Sequence, residues 1–218
     1  MYFRIGRTSE STIEVYENNN FAEEQFETAP YTHVFLDTRL EICAIAKKPR
    51  LSRTTTGIAR QFIRLLAESE RNRQIRASFE IDPINDPEDF ITQLREAIVI
   101  SKFWVTFSKP NPFDTNRDFT QPMEKLLREA DGQKGRTELQ GQNLKPDVLE
   151  ELARSAASTG EDAAAWIQSE TDDKPVKKQL DGNPVVVEEE NVQDIDDKKD
   201  FIERMRHLYE KIRGKVTT

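Results

Sequence analysis

Residues 78–114 read SFEIDPINDPEDFITQLREAIVISKFWVTFSKPNPFD, and this stretch decides the fold. Phe79 and Ile81 alternate with polar neighbours up to Pro83, the period-2 pattern of a short, half-buried strand. Asp86 is placed to accept a hydrogen bond from a first-turn N–H, and Pro87 follows where no N–H is missed. Glu88 and Asp89 add negative charge at the positive end of a helix dipole. Phe90, Ile91, Leu94, Ala97 and Ile98 then form an apolar stripe at helical spacing. Ser101–Ser108 is aromatic and β-branched, which predicts a strand with Phe103, Val105 and Phe107 on one face and Trp104 and Thr106 on the other. Pro110 and Pro112 end it. Strand, helix and strand in that order predict a right-handed crossover if the two strands are parallel.

Working toward the N-terminus, Thr54-Thr55-Thr56 is a cap run before a helix over residues 57–69, with Ile58, Phe62, Leu65 and Leu66 inward. HVFLD at 33–37 and LEICAIA at 40–46 predict a hairpin. Residues 2–7 and 12–16 predict two further strands, whereas Asn18-Asn19-Asn20 and the acidic residues after it read as loop. Residues 71–76 read as an exposed basic connector.

Toward the C-terminus, helices are expected over 120–130 and 146–155, with a lone strand over 136–140 between them. Residues 163–170 and 176–180 predict a hairpin, Asp181-Gly182-Asn183-Pro184 a turn, and Val185–Val187 a third short strand. An acidic linker over 191–197 leads to a last helix over 197–213 with Phe201, Met205, Leu208 and Ile212 on one seam. The fold class expected is α+β: a small mixed sheet with covering helices over residues 1–110, ferredoxin-like in order, and a smaller α+β half over 111–218.

The 218 residues are 36% hydrophobic and 33% charged, wetter than an average globular chain. Cys43 is the single cysteine, which excludes an internal disulfide and a multi-cysteine metal site, and its apolar neighbours make it a small packed side chain. No run approaches the roughly 20 apolar residues of a membrane span, and MYFRIGRT is not a secretory leader. The expectation is a cytoplasmic protein with no membrane partner.

Glycine-rich phosphate loops, nucleophile elbows and paired-histidine metal motifs are all missing from the sequence. His33 and His207 cannot build a multi-histidine centre, and no cofactor is expected. Carboxylates leave one route to metal chemistry: Asp82, Asp86 and Asp89, or Asp114, Asp118 and Glu138, as ligands of a phosphodiester-cleaving ion. Asp86 is already accounted for as a cap, and Asp114 and Asp118 fit turn and cap roles.

The net charge of −8 is unevenly spread. Residues 44–76 hold nine Lys or Arg against Glu68 and Glu70, and clustered charge focuses a field whatever the total. The candidate nucleic-acid contacts are therefore Lys47, Lys48, Arg53, Arg60, Arg64, Arg71 and Arg73. Lys109 and Arg117 join them from the proline- and asparagine-containing loop SKPNPFDTNRDF, where Phe113 and Phe119 are available to stack. A solvated basic face and a rigid turn are the plain alternatives.

The PNPF loop, the short polar hairpin strands and the closing helix DFIERMRHLYEKIR follow an order that resembles phage-exclusion proteins of the lambda Rex A type, over the last half of the chain. The resemblance implies a non-enzymatic, DNA-binding protein of phage defence, with dimers as one arrangement; it carries no individual residue across. The leading expectation is thus a non-enzymatic binding or regulatory protein with DNA or RNA as ligand. The alternatives are a carboxylate–metal nuclease and an adaptor that self-associates through residues 197–213, a helix that otherwise closes its own core.

Overall fold

The computed structural model describes residues 1–108, 120–188 and 198–214. The chain divides into two compact units, residues 1–81 with 189–202, and residues 82–188 with 203–218. The division falls at Ile81–Asp82 rather than near residue 110, because the helix and strand of the 78–114 stretch pack with the C-terminal half. The class is α+β, and every strand pairing is antiparallel.

In the first unit, β1 (Tyr2–Gly6), β4 (Tyr31–Asp37) and β5 (Ile42–Ile45) form a three-stranded sheet in the order β1-β4-β5. Its turn is set by Asp37, whose carboxylate accepts the backbone N–H groups of Arg39 and Leu40. Helix α1 (Thr55–Glu68) begins where Thr54 Oγ1 accepts the Gly57 N–H at 3.1 Å. It buries Ile58 and Phe62, and Phe62 meets Ile5 and Val34 in a core that also takes in Phe3, Cys43, Ile45, Leu66 and Ile81. On the sheet's other face Phe35 lies between Tyr2 and Phe201, ring centroids 5.2 and 4.4 Å away. Burial raises the Cys43 thiol above its ordinary range, as suits a packed side chain.

Two segments of this unit differ from the sequence expectation. The supposed basic connector is a short helix, α2 (Glu70–Ile75), capped by Ser69 accepting the Asn72 N–H. The supposed loop after Asn18 is a strand: β2 (Ser9–Glu17) and β3 (Asn20–Thr28) form a separate two-stranded hairpin. Asn18 and Asn19 both have positive φ, which gives the tight two-residue turn whose twist suits a hairpin.

In the second unit the sheet order is β7-β6-β8-β9, from β6 (Val99–Ser108), β7 (Lys134–Gln140), β8 (Ala163–Gln168) and β9 (Val176–Gln179). Helices α3 (Glu88–Arg95) and α5 (Pro146–Thr159) join Ile100, Phe103, Val105, Ala163, Ala165 and Ile167 in its main core, to which Phe90, Leu94, Leu149, Leu152 and Ala156 contribute. Asp86 accepts the Glu88 N–H at 3.0 Å and starts α3 as its sequence suggests. Arg95 holds Glu150 through two hydrogen bonds of 2.8 and 2.7 Å, and Arg154 joins Glu150 to Glu88, so α3 and α5 are laced by charge as well as packed. Gly160 closes α5 with φ +72°, where a side chain would be strained and would also strike Asp82. Helix α4 (Thr120–Glu129) buries Leu127, and Met123 accepts from Thr137 on the core side of β7.

The parallel crossover from Phe79 to Phe107 is not formed. Residues 76–84 are irregular and Phe79 is exposed, so the alternation at 79–81 finds no partner strand, and the ferredoxin-like order that rested on it is replaced by the antiparallel sheets. Val185–Val187 is likewise no strand; only Pro184 bridges to Asn85. Residues 136–140 are not alone but form one edge of the four-stranded sheet. Helix α6 (Lys198–Ile212) buries Phe201, Met205, Tyr209 and Ile212 and half-buries Leu208, so most of its seam packs within the chain. Among the described residues no helix is long and apolar enough to cross a membrane.

Candidate nucleic-acid interface

The four-stranded sheet has two unlike faces. From Phe103 to Phe107 the odd-numbered residues of β6 are buried, and a register shift between Ile100 and Lys102 brings Ile100 into the same core, while Lys102, Trp104 and Thr106 lie on the opposite face, as strand alternation requires. Register then decides their neighbours. Across β7, Lys102 pairs with Gln140, Trp104 with Glu138 and Thr106 with Arg136. Across β8, Lys102 pairs with Trp166 and Trp104 with Ala164; across β9, Trp166 pairs with Lys177 and Ala164 with Gln179. Arg136, Glu138, Gln140, Lys177 and Gln179 are all exposed.

This face gathers both tryptophans of the chain. Arg136 lies 4.2 Å above the Trp104 ring, Lys102 4.9 Å above Trp166, and Lys177 reaches both rings at 5.6 and 5.8 Å. The flanking cations and the small Ala164 surround Trp104 so closely that only 9% of it is exposed, whereas Trp166 is half-buried. Glu138 fixes the cations in place: Lys102 Nζ is 2.7 Å from one carboxylate oxygen and Arg136 Nη2 3.0 Å from the other. Gln140 donates to the same carboxylate at 2.7 Å. The Lys102 and Gln140 hydrogen bonds, with the neighbouring charges of Lys102 and Arg136, hold this carboxyl below the usual carboxylate range. Gly135 flattens the β7 edge on the core side, since a Cβ there would run into the Phe107 ring.

Aromatic rings rimmed by cations offer two things at once. The ring faces can stack a planar base, and the cations can swing from ring to phosphate as they do so. Antiparallel sheets with helices on one face and aromatics on the other are a recurrent platform for unpaired bases.

The basic residues singled out from the sequence are spread over the first unit. Lys47, Arg53, Arg60, Arg64, Arg71 and Arg73 are exposed, and Lys48 is half-buried near His33. Arg60 and Arg64 are brought together in one cleft of about 390 Å³, with Arg7, Gly57 and Gln61; the other five do not line it. Lys109 and Arg117 lie outside the described residues, as do Phe113, Phe119, Asp114, Asp118 and the 191–197 linker. Glu138 serves the tryptophan face, and among the described residues no three His, Cys, Asp or Glu side chains are grouped to hold a metal ion. Sequence reasoning placed Trp104 on the non-core face but missed Trp166, Arg136 and Lys177. The signal available was a tryptophan in an otherwise small and apolar strand, AAAWIQ, beside a lysine-rich one, VKKQ.

No curated protein and no solved structure matches the chain. Residues 9–206 match the sequence model of a domain of unknown function, DUF4747, which spans the β2–β3 hairpin, the first sheet except β1, the second sheet and most of α6, and the chain belongs to that family.

Proposed function

We propose that the protein is a non-enzymatic nucleic-acid-binding protein, and that single-stranded nucleic acid lies across the outer face of the four-stranded sheet with bases stacked at Trp104 and Trp166. One observation carries this reading: two tryptophans share the sheet face away from the core, Trp166 half-buried and Trp104 covered by cations, with Lys102, Arg136 and Lys177 over their rings. Stacking is sequence-tolerant and worth about 1–3 kcal/mol per base, while the rim cations supply a salt-dependent phosphate term. Glu138 gives the face an acceptor beside Trp104, available to the amino edge of an unpaired base.

Because these are the chain's only tryptophans, intrinsic tryptophan fluorescence reports this face alone. Single-stranded oligonucleotides should quench it strongly, and a blunt duplex of equal length weakly. Trp166→Ala should weaken single-strand binding by roughly ten- to a hundredfold, consistent with the loss of one stacked base. Lys177→Gln should flatten the salt dependence by about one phosphate contact. Unchanged fluorescence on adding single-stranded DNA and RNA would remove the proposal.

A further inference from the structure

A second site stands in the first unit, independent of the tryptophan face. Arg60 and Arg64 are one turn apart on α1, and Arg7 follows directly on β1; with Gly57 and Gln61 they line the cleft of about 390 Å³. The walls are tied to each other: Gln61 Nε2 donates to Gly6 O at 3.2 Å, and the Arg7 N–H donates to Pro30 O at 3.2 Å. Three arginine side chains therefore line one open cleft, with Gln61 tied to the Gly6 carbonyl beside them. Among the described residues no carboxylate lines it. Glu68 is the nearest compensating charge, 4.0 Å from Arg64 with both side chains mostly exposed, a pairing worth little. Arg7 and Arg60 have no ion-pair partner among the described residues.

Three like charges converging on one cavity repel one another, and an anion entering it reverses the sign of that energy. Guanidinium forks match phosphate oxygens two at a time, which a single ammonium does not. The cleft's volume lies in the range of small-ligand sites, and it opens to solvent. A phosphate monoester near pH 7 carries close to two charges and three terminal oxygens, against one charge and two free oxygens for a diester. We infer that the Arg7–Arg60–Arg64 cleft is a binding site for a phosphate monoester, the group found on a free nucleotide and on the phosphorylated end of a nucleic-acid strand.

The test uses the full chain and follows its thermal midpoint with inorganic phosphate, a nucleoside 5′-monophosphate, the matching nucleoside, and a short oligonucleotide with either a 5′-phosphate or a 5′-hydroxyl. The monophosphate should raise the midpoint and the nucleoside should not. Arg60→Gln with Arg64→Gln should abolish the rise, each lost charged hydrogen bond weakening binding by about tenfold or more. Arg71→Gln with Arg73→Gln, on α2 and outside the cleft, should leave the rise intact, which separates a site from general positive charge. Tighter binding of the 5′-phosphorylated strand than of its 5′-hydroxyl twin would assign the group to strand ends; a response to free monophosphate alone would assign it to nucleotides. Tryptophan quenching by single strands should persist in the Arg60→Gln/Arg64→Gln protein, so failure at the sheet face and failure at the cleft are read separately. No midpoint rise with either phosphate or monophosphate together with equal affinity for the two strands, or a rise that survives loss of Arg60 and Arg64, would overturn the inference.

Discussion

At the scale of single residues, His33 is a titratable side chain buried in the first unit. It is buried on the Phe35 side of the first sheet, its Nδ1 shares a 2.7 Å hydrogen bond with the Tyr2 hydroxyl, and its Nε2 has no hydrogen-bond partner among the described residues. Burial, then the charges of Arg4, Lys48 and Lys198, push its pKa below the ordinary histidine value. The sign follows from linkage. The neutral ring is the native form, so the unfolded chain takes up a proton first as pH falls, and the stability held above about pH 6.5 is lost from there downward until the native pKa is reached. Urea midpoints measured from pH 8 to pH 5 should therefore drop, and His33→Gln should flatten the drop; an equally steep fall in the variant would show that other groups cause it. The residue also marks what sequence can show. That His33 begins a strand was legible from HVFLD, but its cationic surroundings were not, because Arg4, Lys48 and Lys198 come from three separate segments.

At the scale of elements, β2 and β3 stand apart from the other strands. Their ladder runs from Ser9↔Thr28 to Glu17↔Asn20, and they join no other sheet. One face sets Glu10 against Glu27 and Glu14 against Glu23, and like charges directly opposite weaken a pair. At the tip Tyr16 and Phe21 stack with centroids 4.8 Å apart while remaining largely exposed. A lone two-stranded ribbon is marginal in water, so this hairpin should melt locally before the sheet beside it. Replacing residues 9–28 by a short glycine-containing turn should leave the midpoint of the remaining protein within about 1 kcal/mol of its starting stability, as for surface changes without core loss. Wholesale unfolding of that variant would show that the ribbon supports more than itself. The same element explains the largest misreading of the sequence. NFAEEQFET carries three glutamates in nine residues, a composition depleted in strands, and only the two asparagines of the turn pointed the other way. In contrast, α1, α3, α5 and β6 were legible as elements, since caps and apolar stripes are written locally, and the two-faced reading of Phe103–Phe107 held residue for residue; Leu65, expected inward on α1, is exposed, and α3 ends at Arg95 before Ala97 and the exposed Ile98. The tryptophan face was half legible: alternation puts Trp104 on the non-core face, but Trp166 becomes its neighbour only through the β6–β8 register, and register is not a local property.

At the scale of the whole molecule, both units are built from separated stretches of chain, and the centre of the second sheet is the extreme case. Strand β6 is flanked by β7 and β8, and its pairing with β8 joins Val99 to Gln168. Synthesis runs at about 5–20 residues per second, so this long aromatic strand leaves the ribosome on the order of several seconds before its partner β8 exists. For that interval VISKFWVTFS is a β-prone segment in search of an edge, and its only charge is Lys102. The lysine that later sits above Trp166 is thus also the one charge in this strand that disfavours pairing with strands of other chains. Lys102→Leu should lower soluble yield during expression far more than it lowers the stability of the purified protein, and soluble yield that simply tracks stability would remove the effect. On this reading the waiting time of a nascent strand, and not only the ligand it finally binds, requires a cation in the middle of β6.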